Sequence, residues 1–202
     1  MQKRGLLVVV SGPSGSGKST LLKELKNVNP ELKFSVSATT RPPRANEIEG
    51  QNYFFKTVDE FAEMIKKGEL IEWTSYCDNL YGTPKSLVED CIKSGKDIVL
   101  EIEVQGHENI KRIYPESVSI FILPPTYEEL VRRIEKRGSE TSETLQKRLD
   151  TAKKEMLCLE QYDYVIVNAD IQKAIKEINC ILIAEKHKVS RNENILKDIG
   201  LN

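Results

Sequence analysis

The run Ser11-Gly12-Pro13-Ser14-Gly15-Ser16-Gly17-Lys18-Ser19-Thr20 sets glycines, a lysine and a hydroxyl at the spacing G-x-x-x-x-G-K-[ST]. Phosphate chemistry needs this set of groups. Gly12, Gly15 and Gly17 let the backbone fold so that its N–H groups point inward at phosphate oxygens, with Pro13, Ser14, Ser16 and Thr20 completing the loop. Lys18 reaches the β- and γ-phosphates, and the Ser19 hydroxyl suits Mg²⁺. The stretch from Lys18 to about Val28 has helical spacing, and a helix there adds its positive N-terminal end. A nucleoside triphosphate is the ligand this loop is made to hold.

A loop of this kind needs a strand before it and a helix after it. The apolar run from Leu6 to Val10 supplies the strand, and similar β-branched runs recur at Ile98 to Ile102, Val118 to Leu123 and Tyr164 to Val167. Between them lie residues at helical spacing: Leu21, Leu22 and Leu25; Phe61, Met64 and Ile65; Leu130, Val131 and Ile134; and Ile171, Ala174, Ile175, Ile178 and Leu182. Short apolar strands alternating with helices predict an α/β fold, a parallel sheet flanked by helices with the ligand at the strands' carboxyl ends. Two stretches break the alternation. Residues 34–96 carry aromatic and polar residues, Pro-Pro and Gly-Thr-Pro turns and short alternating strands, and are expected to form an inserted mixed-β lobe. Residues 126–162 are charged and helical, readable as a mobile lid or as a solvated helical hairpin. The core is then about 5–33, 97–125 and 163–187 of a single domain spanning 1–202, with a polar tail after His187 that is expected to fray.

The 30 basic and 31 acidic residues balance, so no overall field draws the chain to nucleic acid or to a membrane surface, and any cationic site must be local. No apolar run reaches 18 residues, the length of a membrane span. Residues 1–5 and the apolar run after them are too short for a secretion signal, so a cytoplasmic protein is expected. Cys77, Cys91, Cys158 and Cys180 are dispersed and read as reduced thiols, while His107 and His187 are too isolated to cage a metal. The polar surface permits a monomer or a homodimer.

Three clusters in the 34–96 lobe carry further chemistry. In Ser35-Val36-Ser37-Ala38-Thr39-Thr40-Arg41-Pro42-Pro43-Arg44, two arginines beside Pro-Pro make a stiff cationic corner suited to a phosphate, with Glu47 and Tyr53 following. Glu72 lies among the apolar residues of Glu69-Leu70-Ile71-Glu72-Trp73, and Asn79-Leu80-Tyr81-Gly82-Thr83-Pro84 is a turn bearing a phenol and a hydroxyl. Each cluster alone also reads as surface charge or as an ordinary turn.

Together with the phosphate loop, these clusters resemble the guanylate kinase family. The resemblance runs from about Gly5 to Lys186 and includes Ser-x-Thr-Thr-Arg-x-Pro-Arg at 37–44, Ile-Glu-Trp at 71–73, Tyr-Gly-Thr at 81–83, Val-Gln-Gly at 104–106, Arg-Gly at 137–138, Lys-Arg-Leu at 147–149 and Val-Ile-Val-Asn at 165–168. It implies Mg²⁺-dependent, reversible transfer of the ATP γ-phosphoryl group to GMP, and to dGMP. Glu72 matches the family's reader of guanine, with Ser37 and Thr83 near the base, and Arg41, Arg44, Tyr53 and Tyr81 match its clamp on the GMP phosphate. The resemblance further implies catalytic roles for Lys18, Arg44, Arg137 and Arg148, with Asn168 on the ATP side. Glu101 and Glu103 end a strand where the family commonly has aspartate, one serving metal and the other substrate.

The choice of base has a physical ground. Guanine offers two adjacent donors, N1–H and the N2 amine, which one carboxylate accepts together, whereas adenine presents an acceptor at N1. The rival readings are a kinase for AMP, dTMP or a small molecule, a GTPase switch and a peptide-binding scaffold module. Glu72 with Ser37 and Thr83 argues against the first, the lack of an Asn-Lys-x-Asp motif against the second, and the intact Lys18 and Ser19 against the third.

Overall fold

The computed structural model describes residues 4–76, 78–136, 142–192 and 194–201; Cys77 and Arg137 lie outside the described residues. In chain order the elements are β1 (Leu7–Ser11), α1 (Lys18–Val28), β2 (Lys33–Phe34), β3 (Ser37–Thr39), β4 (Tyr53–Phe55), α2 (Val58–Lys66), β5 (Leu70–Tyr76), β6 (Asn79–Pro84), α3 (Lys85–Lys93), β7 (Ile98–Glu101), α4 (Val104–Ile113), β8 (Val118–Leu123), α5 (Tyr127–Glu135), α6 (Ser142–Met156), β9 (Tyr164–Val167), α7 (Ile171–Lys186) and the short α8 (Ile195–Asp198).

Five strands form a parallel sheet in the order β2-β7-β1-β8-β9. Val8, in the central strand, pairs with Val99 on one side and Val118 on the other. Both faces are covered, which is why β1 is apolar without alternation. Val8, Val10, Ile120 and Ile122 pack against Leu21, Leu25, Ile175 and Ile178 of α1 and α7. Leu7, Val9, Ile98 and Leu100 pack against Val88, Ile92 and Ile110 of α3 and α4. The sequence-predicted runs match these strands to within a residue.

The 34–96 stretch forms a second, four-stranded sheet in the order β4-β3-β6-β5, with β3 and β4 parallel and the other pairs antiparallel. A register shift between Leu70 and Glu72 buries two consecutive side chains, Ile71 in the core against β7 and its neighbours and Glu72 in a cleft. The α5 and α6 helices pack through a small apolar cluster of their own, Leu130, Ile134 and Ala152 with Leu145, Leu149 and Met156. The start of the tail after α7 is tied to the core by polar contacts. Buried Glu185 pairs with Lys188 at 2.7 Å and Arg191 at 3.7 Å, and the Arg191 guanidinium also donates to the Glu116 carbonyl. A polar segment is held here by a buried carboxylate rather than by apolar contacts.

Candidate active site

The phosphate loop is shaped by its neighbours. Gly12 has φ +151°, and a Cβ there would lie 2.2 Å from the Ile122 carbonyl oxygen, so the loop leaves β1 against the backbone of β8. Gly17 caps α1 in the left-handed region, and a Cβ there would lie 2.5 Å from Asn168 Nδ2. Asn168, buried at the end of β9, donates Nδ2 to the Ser16 carbonyl at 2.9 Å. Arg133 of α5 donates to the same carbonyl at 3.2 Å and to the Asn168 carbonyl at 3.4 Å. These bonds hold the Ser16 carbonyl. The α1 helix starts without a side-chain cap, which leaves its first N–H groups to an anion. Lys18 Nζ donates to the Gly12 and Pro13 carbonyls.

At the loop's mouth the Ser19 hydroxyl donates to Glu101 Oε1 at 2.7 Å. These are hard oxygen donors of the kind Mg²⁺ takes, so the pair fits a divalent ion carried with the triphosphate. Glu103 is placed differently. Burial pushes its carboxyl above the ordinary range, Lys18 opposes the rise and Glu101 adds to it. Glu103 also raises the carboxyl of Glu72 across the cleft. The two glutamates therefore divide, Glu101 toward Ser19 and Glu103 between Lys18 and Glu72.

Glu72 is 5% exposed. Its Oε1 accepts the Thr83 hydroxyl at 2.6 Å, its paired residue on β6. Burial raises Glu72 to about 7, the Thr83 bonds pull it down, and Glu103 pushes it up again. Two residues along the same strand face, the Thr74 hydroxyl donates to Gln105 Oε1 at 2.7 Å. The cationic corner is braced by Glu47, whose carboxylate takes Arg41 Nη2 on both oxygens at 2.7 and 2.9 Å and the Arg44 backbone N–H at 2.8 Å. The Arg44 N–H foremost, then Arg41, holds Glu47 below the usual carboxylate range. The Arg41 guanidinium lies 5.4 Å over the Tyr53 ring, which meets Tyr81 edge-on at 6.1 Å.

One cleft of about 960 Å³ collects these groups. Of the sequence-predicted residues, Pro13, Ser14, Gly15, Ser16, Gly17, Lys18, Ser19, Thr20, Ser37, Arg41, Arg44, Glu47, Tyr53, Glu72, Tyr81, Glu101, Glu103 and Arg148 line it. Gly12, Thr83 and Asn168 stand behind the lining and act through Lys18, Glu72 and Ser16 respectively. Arg148 of α6 donates to the Ser14 hydroxyl at 2.8 Å, so this helix already touches the loop.

The chain matches the guanylate kinase family over residues 4–185. The chain belongs to the guanylate kinase family. It is 51% identical over 194 residues to the guanylate kinase of Clostridioides difficile (strain 630), covering 96% of this chain and 95% of that protein. The guanylate kinase of Desulfitobacterium hafniense (strain Y51) is 47% identical over 198 residues, 98% of this chain and 99% of the relative. In three dimensions the chain is similar to the crystal structure of guanylate kinase from Anaplasma phagocytophilum, with a TM-score of 0.83 at 34% identity, covering 100% of this chain and 98% of that one. Guanylate kinases are nucleoside monophosphate kinases, transferases that phosphorylate GMP with ATP and a divalent metal, and this chain has that activity.

Sequence reasoning overlooked Arg133, Glu155 and Gly106. Arg133 showed no signal beyond its place on a charged helix. Glu155 follows Arg148 by two helical turns and so shares its face. Its carboxylate accepts the Ser14 N–H, its Oε2 is buried without a hydrogen bond, and burial raises it to about 7 with a further push from Glu103. With Arg148 it grips the tip of the loop from α6. Gly106 belongs to a motif recognised in the sequence, but its close approach to Glu72 is a tertiary fact.

Proposed function

We propose that the chain transfers the ATP γ-phosphoryl group reversibly to GMP and dGMP, with Mg²⁺, in cytoplasmic purine nucleotide metabolism. Residues 1–202 are read as one kinase domain with a GMP lobe at 34–96 and a lid at 126–162. The observation that carries the choice of substrate is Glu72. A buried carboxylate, held by Thr83 and facing the same cleft as the phosphate loop, suits a base with two adjacent donors.

In this reading Gly12 to Thr20 form the Walker A loop and receive the triphosphate on backbone N–H groups, with Asn168 and Arg133 keeping the Ser16 carbonyl turned away. Ser19 and one of Glu101 and Glu103, with Glu101 favoured by its bond to Ser19, hold Mg²⁺, which when bound neutralises phosphate charge. Arg41, Arg44, Tyr53 and Tyr81 clamp the GMP phosphate, and Glu47 aims the Arg41 guanidinium and holds the Arg44 backbone. Ser37 and Glu103 lie beside the base, and Arg44 bridges the phosphates of the two nucleotides. A GMP phosphate oxygen attacks the γ-phosphorus in line as the bond to the β-phosphate oxygen of ADP breaks. Lys18, Arg137 and Arg148 stabilise the charge that spreads over the equatorial and bridging oxygens. Closure of the lid brings in Arg137 beside Arg148, which already touches the loop, and excludes water, the competing acceptor.

The test is steady-state transfer from Mg·ATP to GMP, dGMP, AMP, CMP, UMP and dTMP. A strong preference for GMP and dGMP is expected. Preference for another base would overturn the role of Glu72, and binding of ATP without transfer to any would overturn the enzymatic reading.

A further inference from the structure

We propose that Gly106 is a specificity-determining position: its missing side chain is what lets the second carboxylate oxygen of Glu72 stand ready for the guanine base. This inference rests on Glu72 as the reader of guanine and extends it to the helix behind it.

Three observations converge on the first turn of α4. A Cβ built on Gly106 would lie 2.7 Å from Glu72 Oε2, and 3.3 Å from both Cβ and Cδ1 of Ile102. Gly106 lies inside a helix and has no left-handed backbone, so space alone calls for glycine here. Ile102 is 7% exposed and belongs to the core, so a methyl at 106 is backed by a wall on that side. Glu72 is the neighbour with rotatable bonds toward the cleft, and it is Glu72 that must move. The same turn is also pinned to β5 by the Thr74–Gln105 bond at 2.7 Å, two residues from Glu72 on the same strand face. The helix turn cannot back away without breaking that bond.

The division of labour on Glu72 turns this contact into selectivity. Oε1 is engaged by the Thr83 hydroxyl at 2.6 Å, which fixes that half of the carboxylate. Oε2 is the half set by Gly106. Two oxygens in place serve two donors. The N2 amine falls to Oε2 and N1–H to Oε1, so with Oε2 displaced the N2 amine loses its acceptor, and a base without that amine binds nearly as well. Hypoxanthine is that base, having N1–H and lacking the N2 amine.

The experiment compares Gly106→Ala with the unaltered enzyme, reading kcat/KM for GMP and for IMP, the KM for ATP, and the thermal midpoint. The expected result is a fall of about tenfold or more in the GMP-over-IMP ratio, the value of one hydrogen bond to a charged group. The KM for ATP should stay within about twofold, since the change is in the GMP half of the cleft. Loss of stability alone would lower both substrates together and leave the ratio intact, and an unchanged ratio overturns the inference. Should Gly106→Ala not fold, the double variant Gly106→Ala/Ile102→Val gives the added methyl room on the Ile102 side, and is compared with Ile102→Val alone. A lowered ratio there supports the proposal and an unchanged one overturns it. Glu72→Gln run alongside separates the two levels. If it loses the GMP preference while Gly106→Ala keeps it, only the role of Gly106 fails; if Glu72→Gln keeps the preference, the reading of Glu72 itself fails.

Discussion

Replacing Glu72 by glutamine should stabilise the protein while removing its function, and the stabilisation should depend on pH in a defined way. Burial raises the Glu72 carboxyl from 4.5 to about 7. The folded chain therefore keeps a proton at Glu72 that the unfolded chain has released, so stability is lost as pH climbs from about 4.5 and the loss levels off above about 7. At about 1.4 kcal/mol per pH unit, that window amounts to about 3 kcal/mol. Glutamine escapes the penalty and still offers an oxygen to the Thr83 hydroxyl. Wild type and Glu72→Gln should have similar stability at pH 5 and differ by about 3 kcal/mol at pH 8.5, roughly 6–12 °C in Tm for a chain of this size. Glu155 is raised over the same window, so only the difference between the two proteins isolates Glu72. Urea or thermal unfolding at pH 5, 7 and 8.5 measures it. Parallel stability curves for the two proteins at every pH would refute the account of a desolvated carboxylate. In the same variant kcat/KM for GMP should fall by about a hundredfold or more, because the amide N–H₂ faces a donor of the base.

Three other substitutions probe separate parts of the cleft. Gly12→Ala drives a methyl toward the Ile122 carbonyl oxygen, 2.2 Å from its ideal position, and should cost more than about 3 kcal/mol in unfolding free energy and abolish ATP binding by calorimetry. Ser19→Ala removes the hydroxyl bonded to Glu101 and should raise the Mg²⁺ concentration for half-maximal rate by about tenfold or more, read by metal titration at saturating nucleotides. Arg148→Ala should lower the single-turnover rate by about a hundredfold with the KM for GMP little changed; an equal loss in binding would place Arg148 on the substrate rather than on the transition state.

The parallel core was legible because residues buried on both faces leave continuous apolar runs, as in β1, β7 and β8, while the edge strand β9 buries only Ile166 and was legible from its β-branched run Val165-Ile166-Val167. The β2 and β3 strands were not, since two and three residues carry no period, and Lys33–Phe34 is a strand only because β7 lies beside it. Polar residues on special backbone, such as Lys18, or between prolines, such as Arg41 and Arg44, announce themselves in sequence. Residues that act by what they approach do not. Asn168 is placed on the ATP side only by the family resemblance, and its bond to the Ser16 carbonyl 152 residues away is a tertiary fact, as is the approach of Gly106 to Glu72. The split between Glu101 and Glu103 also depended on structure, because in sequence both close one apolar run, whereas Glu101 ends β7 beside Ser19 and Glu103 lies past the strand at the start of α4.

The placement of β1 at the middle of the sheet sets an order of events during synthesis. Val8 and its neighbours are made before both of their partners, Val99 and Val118, which follow about 90 and 110 residues later. At about 5–20 residues per second, the strand that ends in the phosphate loop waits on the order of 5–20 s before either neighbour exists. During that interval Leu7 to Val10 form an uncharged β-branched segment with both edges open, of the kind that holdase chaperones shield and that self-associates when they do not. Nucleotide cannot rescue the early chain, because the loop takes its shape from Ile122, Arg133 and Asn168, all made after residue 120. Ligand therefore stabilises the finished protein and does nothing for its first half, and nucleotide should raise the yield of refolding from the complete chain while leaving an amino-terminal fragment unfolded.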